Sequence, residues 1–164
     1  MFRQELWHPI AVHAPIALLV VGGLLFAAIW LPPCRRFRTS LLFAARINLV
    51  VGALGAWAAV YTGHLADAVV ARTLCDPLVL ESHEQGGTLL AWMFSGVVIV
   101  DLLSLRLPRW RKAIHSLLTV AVLAGIPLVG YVGHLGGKLV YQQAAAVYHP
   151  SEDCSEFLPE NPAP

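Results

Sequence analysis

AIHSLLTVAVLAGIPLVGYVGHLGGKLV, residues 113–140, is the stretch that decides the fold. It exceeds the roughly 20 residues that a helix needs to cross a bilayer core. Its only formally charged residue is Lys138, near its end. Backbone groups in lipid must be satisfied internally, so a helix is the expected form. Pro127 lies inside the run and can kink it, which membrane helices tolerate. Three more runs of the same kind precede it, at about 8–31, 41–64 and 83–105. The whole chain is 57% hydrophobic and only 13% charged, against about 25% charge in a soluble domain. The net charge of +1 gives no basic excess for binding nucleic acid. No cleavable signal is evident, so the first run is expected to belong to the mature protein.

Within the opening stretch, YVGHLGGKLV (131–140) repeats a motif found at 61–70, YTGHLADAVV. Both read Tyr-x-Gly-His-Leu. At an offset of 70, His64 falls on His134 and His13 falls on His83. Arg36 then lands on Arg106. The pattern predicts one helical hairpin written twice in the same orientation, which implies a pseudo-twofold axis along the membrane normal. The expected fold is therefore an all-α integral membrane four-helix bundle built from two parallel helical-hairpin repeats. It divides into a transmembrane domain over 1–140 and an acidic tail over 141–164.

Orientation follows from the basic residues. Arg35, Arg36, Arg38 and Arg46 surround the first connection, and Arg106, Arg109, Arg111 and Lys112 fill the third. The opposite side keeps Arg3, Arg72 and Lys138 beside nine of the ten acids. This places the basic loops in the cytoplasm and both termini in the periplasm of a bacterial inner membrane. Trp30 and Trp110 then mark the inner interface and Trp7 the outer one. Cys75 and Cys154 fall on the oxidising side and are expected to pair; Cys34 falls inside and stays reduced.

At about 1.5 Å rise per residue, His13, His83 and His134 each lie about 33–35 Å from the nearest inner basic residue, and His64 about 27 Å from Arg46. Four helices thus bring one histidine each to a common level near the outer face. His8 sits about one and a half turns further out than His13. Ionisable groups in a membrane are costly and mark function, and three readings compete for this layer.

The first is b-type haem, one or two, held by His13, His64, His83 and His134, with His8 next in line, because imidazoles on facing helices of a bundle are standard axial ligands. Gly63, Gly86, Gly87, Gly130, Gly133, Gly136 and Gly137 cluster at the same level and make room for a macrocycle; they equally permit close helix packing. Trp57 and Trp92 can flank a ring, and Arg72 and Lys138 can pair with propionates. The second reading is a non-haem centre of copper, zinc or iron on the same imidazoles, with Asp67 and Glu84 joining them. No compact HxxxH or CxxC spacing supports it. The third is structural: a scaffold or assembly subunit whose histidines bond backbone carbonyls.

Elsewhere, His115 is read as interfacial near the basic loop, and His149 as a tail residue able to cap the site. Asp101, the only inner acid, is expected to pair with an arginine such as Arg46. No nucleophile–base pair, phosphate loop or pair of acids points to a stand-alone enzyme. An electron carrier or redox subunit is expected, exchanging electrons with quinol, a periplasmic c-type cytochrome or a larger redox complex; the acidic tail suits a basic partner.

WHPIAVHAPIALL at 7–19 and GHLGGKLVY at 133–141 resemble the bacterial inner-membrane family catalogued as domain of unknown function twenty-two thirty-one. The resemblance covers most of the chain from 7 to 141. It implies a four-helix membrane protein and points to His8, His13, His83 and His134; it implies no activity. Family members often continue past the closing Tyr with a Gly-containing turn, whereas Tyr141 is followed here by QQAAAV.

Overall fold

The structure, a computed structural model, describes residues 3–148 and Glu152. Four helices run in order: α1 (Trp7–Ala28), α2 (Arg38–Val70), α3 (Pro77–Ser104) and α4 (Arg111–Gln143). Short 3-10 turns cover Gln4–Leu6, Pro32–Phe37 and Ala71–Thr73, and the described residues contain no strand. All four helices are long and apolar enough to cross a membrane. This is the all-α four-helix membrane architecture expected from the apolar runs.

The helix ends differ from the apolar limits. α2 begins ahead of Leu41 and continues past His64, α3 begins at Pro77 rather than at His83, and α4 passes residue 140 to end at Gln143. An apolar run marks the part suited to lipid, but a helix propagates wherever each added residue closes another backbone bond. His64 and His83 therefore sit inside helices, not at their ends. Asp76 starts α3 as an N-cap, its Oδ1 accepting from the Leu78 N–H at 3.0 Å, with Pro77 in the first turn. The Gln143 side-chain oxygen accepts from the Asp76 N–H at 2.8 Å, tying the end of α4 to the start of α3.

α1 packs on α2 and α3 on α4; α2 with α3 and α1 with α4 complete the ring. α1 and α3 are thus diagonal to each other. Small residues let backbones approach where no water drives association. A Cβ on Gly52 would stand 2.8 Å from Leu19 Cδ2 and 3.2 Å from the Leu19 backbone nitrogen. Backbone cannot swing aside as a side-chain end can. Gly52→Ala is expected to lower stability by about 1–3 kcal/mol by parting α1 from α2, measured by thermal unfolding in detergent. Gly96→Ala, where an added Cβ meets nothing within 4 Å, is the control and stays within about 0.5 kcal/mol.

The buried faces of the two hairpins correspond in a register of their own. Pro15, Leu19, Gly22, Phe26 and Ile29 are buried, and so are Leu90, Phe94, Val97, Asp101 and Ser104, each 75 residues later. Ala45, Leu49, Gly52, Ala56 and Ala66 are matched 73 residues later by Leu118, Val122, Gly125, Val129 and Leu139. Gly52 receives Leu19 as Gly125 receives Phe94. The offset of 70 that aligns the histidine motifs is therefore not the register of the packing.

Candidate functional site

His8, one residue into α1, and His83, in the second turn of α3, meet across the diagonal of the bundle. Their ring centres are 5.9 Å apart and the planes stand at 88°. Each ring is held by the helix beside it. The Nδ1 of His8 bonds the Ala59 carbonyl on α2 at 2.9 Å, with the Thr62 hydroxyl at 3.5 Å. The Nδ1 of His83 bonds the Val132 carbonyl on α4 at 3.0 Å. A carbonyl only accepts, so in a neutral imidazole the proton resides on Nδ1 and the lone pair on Nε2. Neither Nε2 makes a hydrogen bond among the described residues.

Each imidazole also lies close against a glycine. A Cβ on Gly63 would stand 3.3 Å from His8 Cε1, and one on Gly136 would stand 3.1 Å from His83 Cε1. Gly136 follows Gly63 by 73 residues, the register of the buried faces. Both rings are half-buried.

Of the five histidines expected as ligands, the structure brings together His8 and His83. His13, His64 and His134 are exposed and do not join them. The reason is angle. His13 lies two residues before the buried Pro15, and His134 two residues after the buried Val132. Two residues turn a helix by about 200°, so both point out of the bundle. His13 bonds the Pro9 carbonyl of its own helix. His64 pairs with Glu84, Nδ1 to Oε1 at 3.3 Å, its side chain 63% exposed. Gly63, its neighbour, is the residue that faces the site. Trp57 and Trp92 pack edge to face on one another at 4.9 Å, and Trp57 Nε1 donates to Ser95 Oγ at 3.0 Å. Lys138 is half-buried and Arg72 exposed. Among the described residues, no three of His, Cys, Asp and Glu converge as a metal site. Cys75 is exposed; Cys154 and His149 lie outside the described residues.

A second polar cluster occupies the basic end. Arg46 Nε and Nη2 donate to Asp101 Oδ2 and Oδ1 at 2.6 and 3.3 Å, the pairing expected from the sequence. His115 joins them and is not interfacial: it is fully buried, with Nε2 3.0 Å from Asp101 Oδ1 and 3.3 Å from Ser104 Oγ. Its ring stands edge to face on Phe26 at 5.4 Å. The signal for His115 was available. Asp101 interrupts an apolar run, and a buried carboxylate needs more than one donor.

A four-helix membrane protein with two imidazoles facing across its diagonal near one end, and a buried ion-pair cluster near the other, is the class that fold and site define. The chain belongs to the family described as a predicted membrane protein (DUF2231), whose model matches residues 6–149. No curated protein and no solved structure matches the chain.

Proposed function

We propose that the protein is a membrane b-type cytochrome in which His8 and His83 hold one haem iron near the acidic end of the bundle. The observation that carries this reading is the geometry of the pair. Both rings have Nδ1 anchored to a carbonyl, which fixes the tautomer and leaves Nε2 as the free donor atom, the arrangement found behind metal-ligating imidazoles. The ring centres are 5.9 Å apart, near enough for the two imidazoles to hold one iron between them, each nitrogen binding it at about 2 Å. Gly63 and Gly136 leave the rings their space, and a side chain at either would press on an imidazole.

Bound haem iron supplies one-electron transfer. The chain's own residues supply the rest. Ala59 and Val132 orient the rings, and the apolar core excludes water below them. Two imidazoles suit haem, which needs only axial ligands from protein, better than a closed non-haem site of four protein ligands. The matched buried registers support an origin by hairpin duplication, with His8 and His83 as counterparts about an axis along the membrane normal.

Taking the basic loops as cytoplasmic in an inner membrane, the pair lies at the periplasmic face. Its electron partner is then a periplasmic c-type cytochrome with a basic docking face, or a subunit of a larger redox complex that draws on quinol. Haem titration of detergent-solubilised apoprotein tests the reading. Absorbance is expected to saturate at one haem per chain; absence of saturable binding overturns it.

A further inference from the structure

The cluster at the basic end has no counterpart in the other half of the molecule. Asp101, Ser104 and His115 are all buried. In the registers that match the buried faces, their equivalents are Phe26, Ile29 and Leu42, and the equivalent of Arg46 is Thr119. Phe26 and Ile29 are buried, and Leu42 packs against the core. The first hairpin thus closes its end with apolar side chains, so the architecture does not call for charge there. The second hairpin instead buries a carboxylate and an imidazole, and desolvating the carboxylate is costly even after relaxation. Chains of Asp and His inside membranes mark proton relays.

The geometry of the dyad is that of a proton acceptor. Asp101 is held by Arg46 through two bonds, and its Oδ1 lies 3.0 Å from His115 Nε2. A carboxylate at that distance favours the neutral tautomer with the proton on Nε2 and the lone pair on Nδ1. Nδ1 is buried and has no hydrogen-bond partner among the described residues. A buried carboxylate behind an imidazole fixes its tautomer and balances the imidazolium formed when the far nitrogen takes a proton, as in hydrolase triads. We propose that Asp101 and His115 form a proton-binding site at the basic end, with Nδ1 of His115 as the atom that takes up the proton.

The proton comes from hydronium on the basic side: one O–H bond of the donor breaks as the N–H bond forms on Nδ1, leaving water and an imidazolium balanced by Asp101. All four helices pack on the site. α1 presents Phe26 and Trp30, neither ionisable, with Trp30 Nε1 held on Thr119 Oγ1 at 2.7 Å. α2 brings Arg46 and, within electrostatic reach, Arg38. α3 brings Asp101, and α4 brings Arg111, whose Nη2 donates to the Leu105 carbonyl at 3.0 Å. Asp101 is thus the single negative charge among them. Phe26 lies 18 residues from His8 along α1, about 27 Å of helix, so this site is separate from the imidazole pair and does not rest on the haem reading.

The test is an NMR titration of the full chain in detergent, with isotope-labelled histidine. The His115 imidazole signal is identified by its loss in His115→Leu. It is expected to shift through a single transition on acidification, and Asp101→Asn is expected to abolish that titration. A His115 signal that stays constant down to the pH at which the protein unfolds overturns the proposal. So does a titration that survives unchanged in Asp101→Asn, since the carboxylate is then not part of the site. If Asp101→Asn fails to fold, the wild-type titration still decides.

Discussion

His8→Ala and His83→Ala are each expected to abolish haem binding, while His13→Ala, His64→Ala and His134→Ala retain it. Removing the partner behind a metal-ligating imidazole typically lowers affinity 10–100-fold, and removing the imidazole itself is expected to cost at least that. Membrane insertion should survive in all five variants, because it depends on the apolar spans. Haem content per chain, read from the visible spectrum of equal amounts of purified protein, checks both halves of the prediction. Loss of haem in His13→Ala or His134→Ala, with retention in His8→Ala, would reverse the assignment made from the diagonal pair.

The second large effect lies at the basic end. Asp101→Ala leaves Arg46 and His115 without their shared acceptor in a site where Asp101 itself is only 2% exposed. Breaking a buried ion pair from one side costs about 3–5 kcal/mol, because the remaining charge is stranded. Replacing both partners is far milder, so Arg46→Leu combined with Asp101→Leu is expected to recover most of the loss. Thermal unfolding in detergent of Arg46→Leu, Asp101→Leu and the double variant measures the coupling. Additive losses would mean that the bonds at 2.6 and 3.3 Å do not support each other in the folded protein.

The number and order of the helices were legible because four apolar runs each exceed a bilayer's thickness. The ends were not, since α2 and α3 continue through polar turns that hydropathy discounts. The site was legible in depth and not in direction. Counting rise from the basic loops places the histidines at one level, but rise says nothing of which way a side chain points. Pro15 and Val132 supply that missing angle, and with it His13 and His134 turn outward.

The Tyr-x-Gly-His-Leu motif drew attention to its histidines, whereas the packing uses Gly63 in one copy and Gly136, beyond the motif, in the other. His8 looked secondary because it falls outside the offset of 70. In the register of the buried faces it is the counterpart of His83. His115 was read from its nearness to arginines, and its burial follows instead from facing Asp101 across α3 and α4.

The most direct measurement is a reduced-minus-oxidised visible spectrum of the protein purified in detergent from cells supplied with haem, with a pyridine haemochrome count. Sharp b-type bands at one haem per chain are the predicted result. A featureless spectrum would contradict the account and leave His8 and His83 as a carbonyl-bonded pair of packing residues.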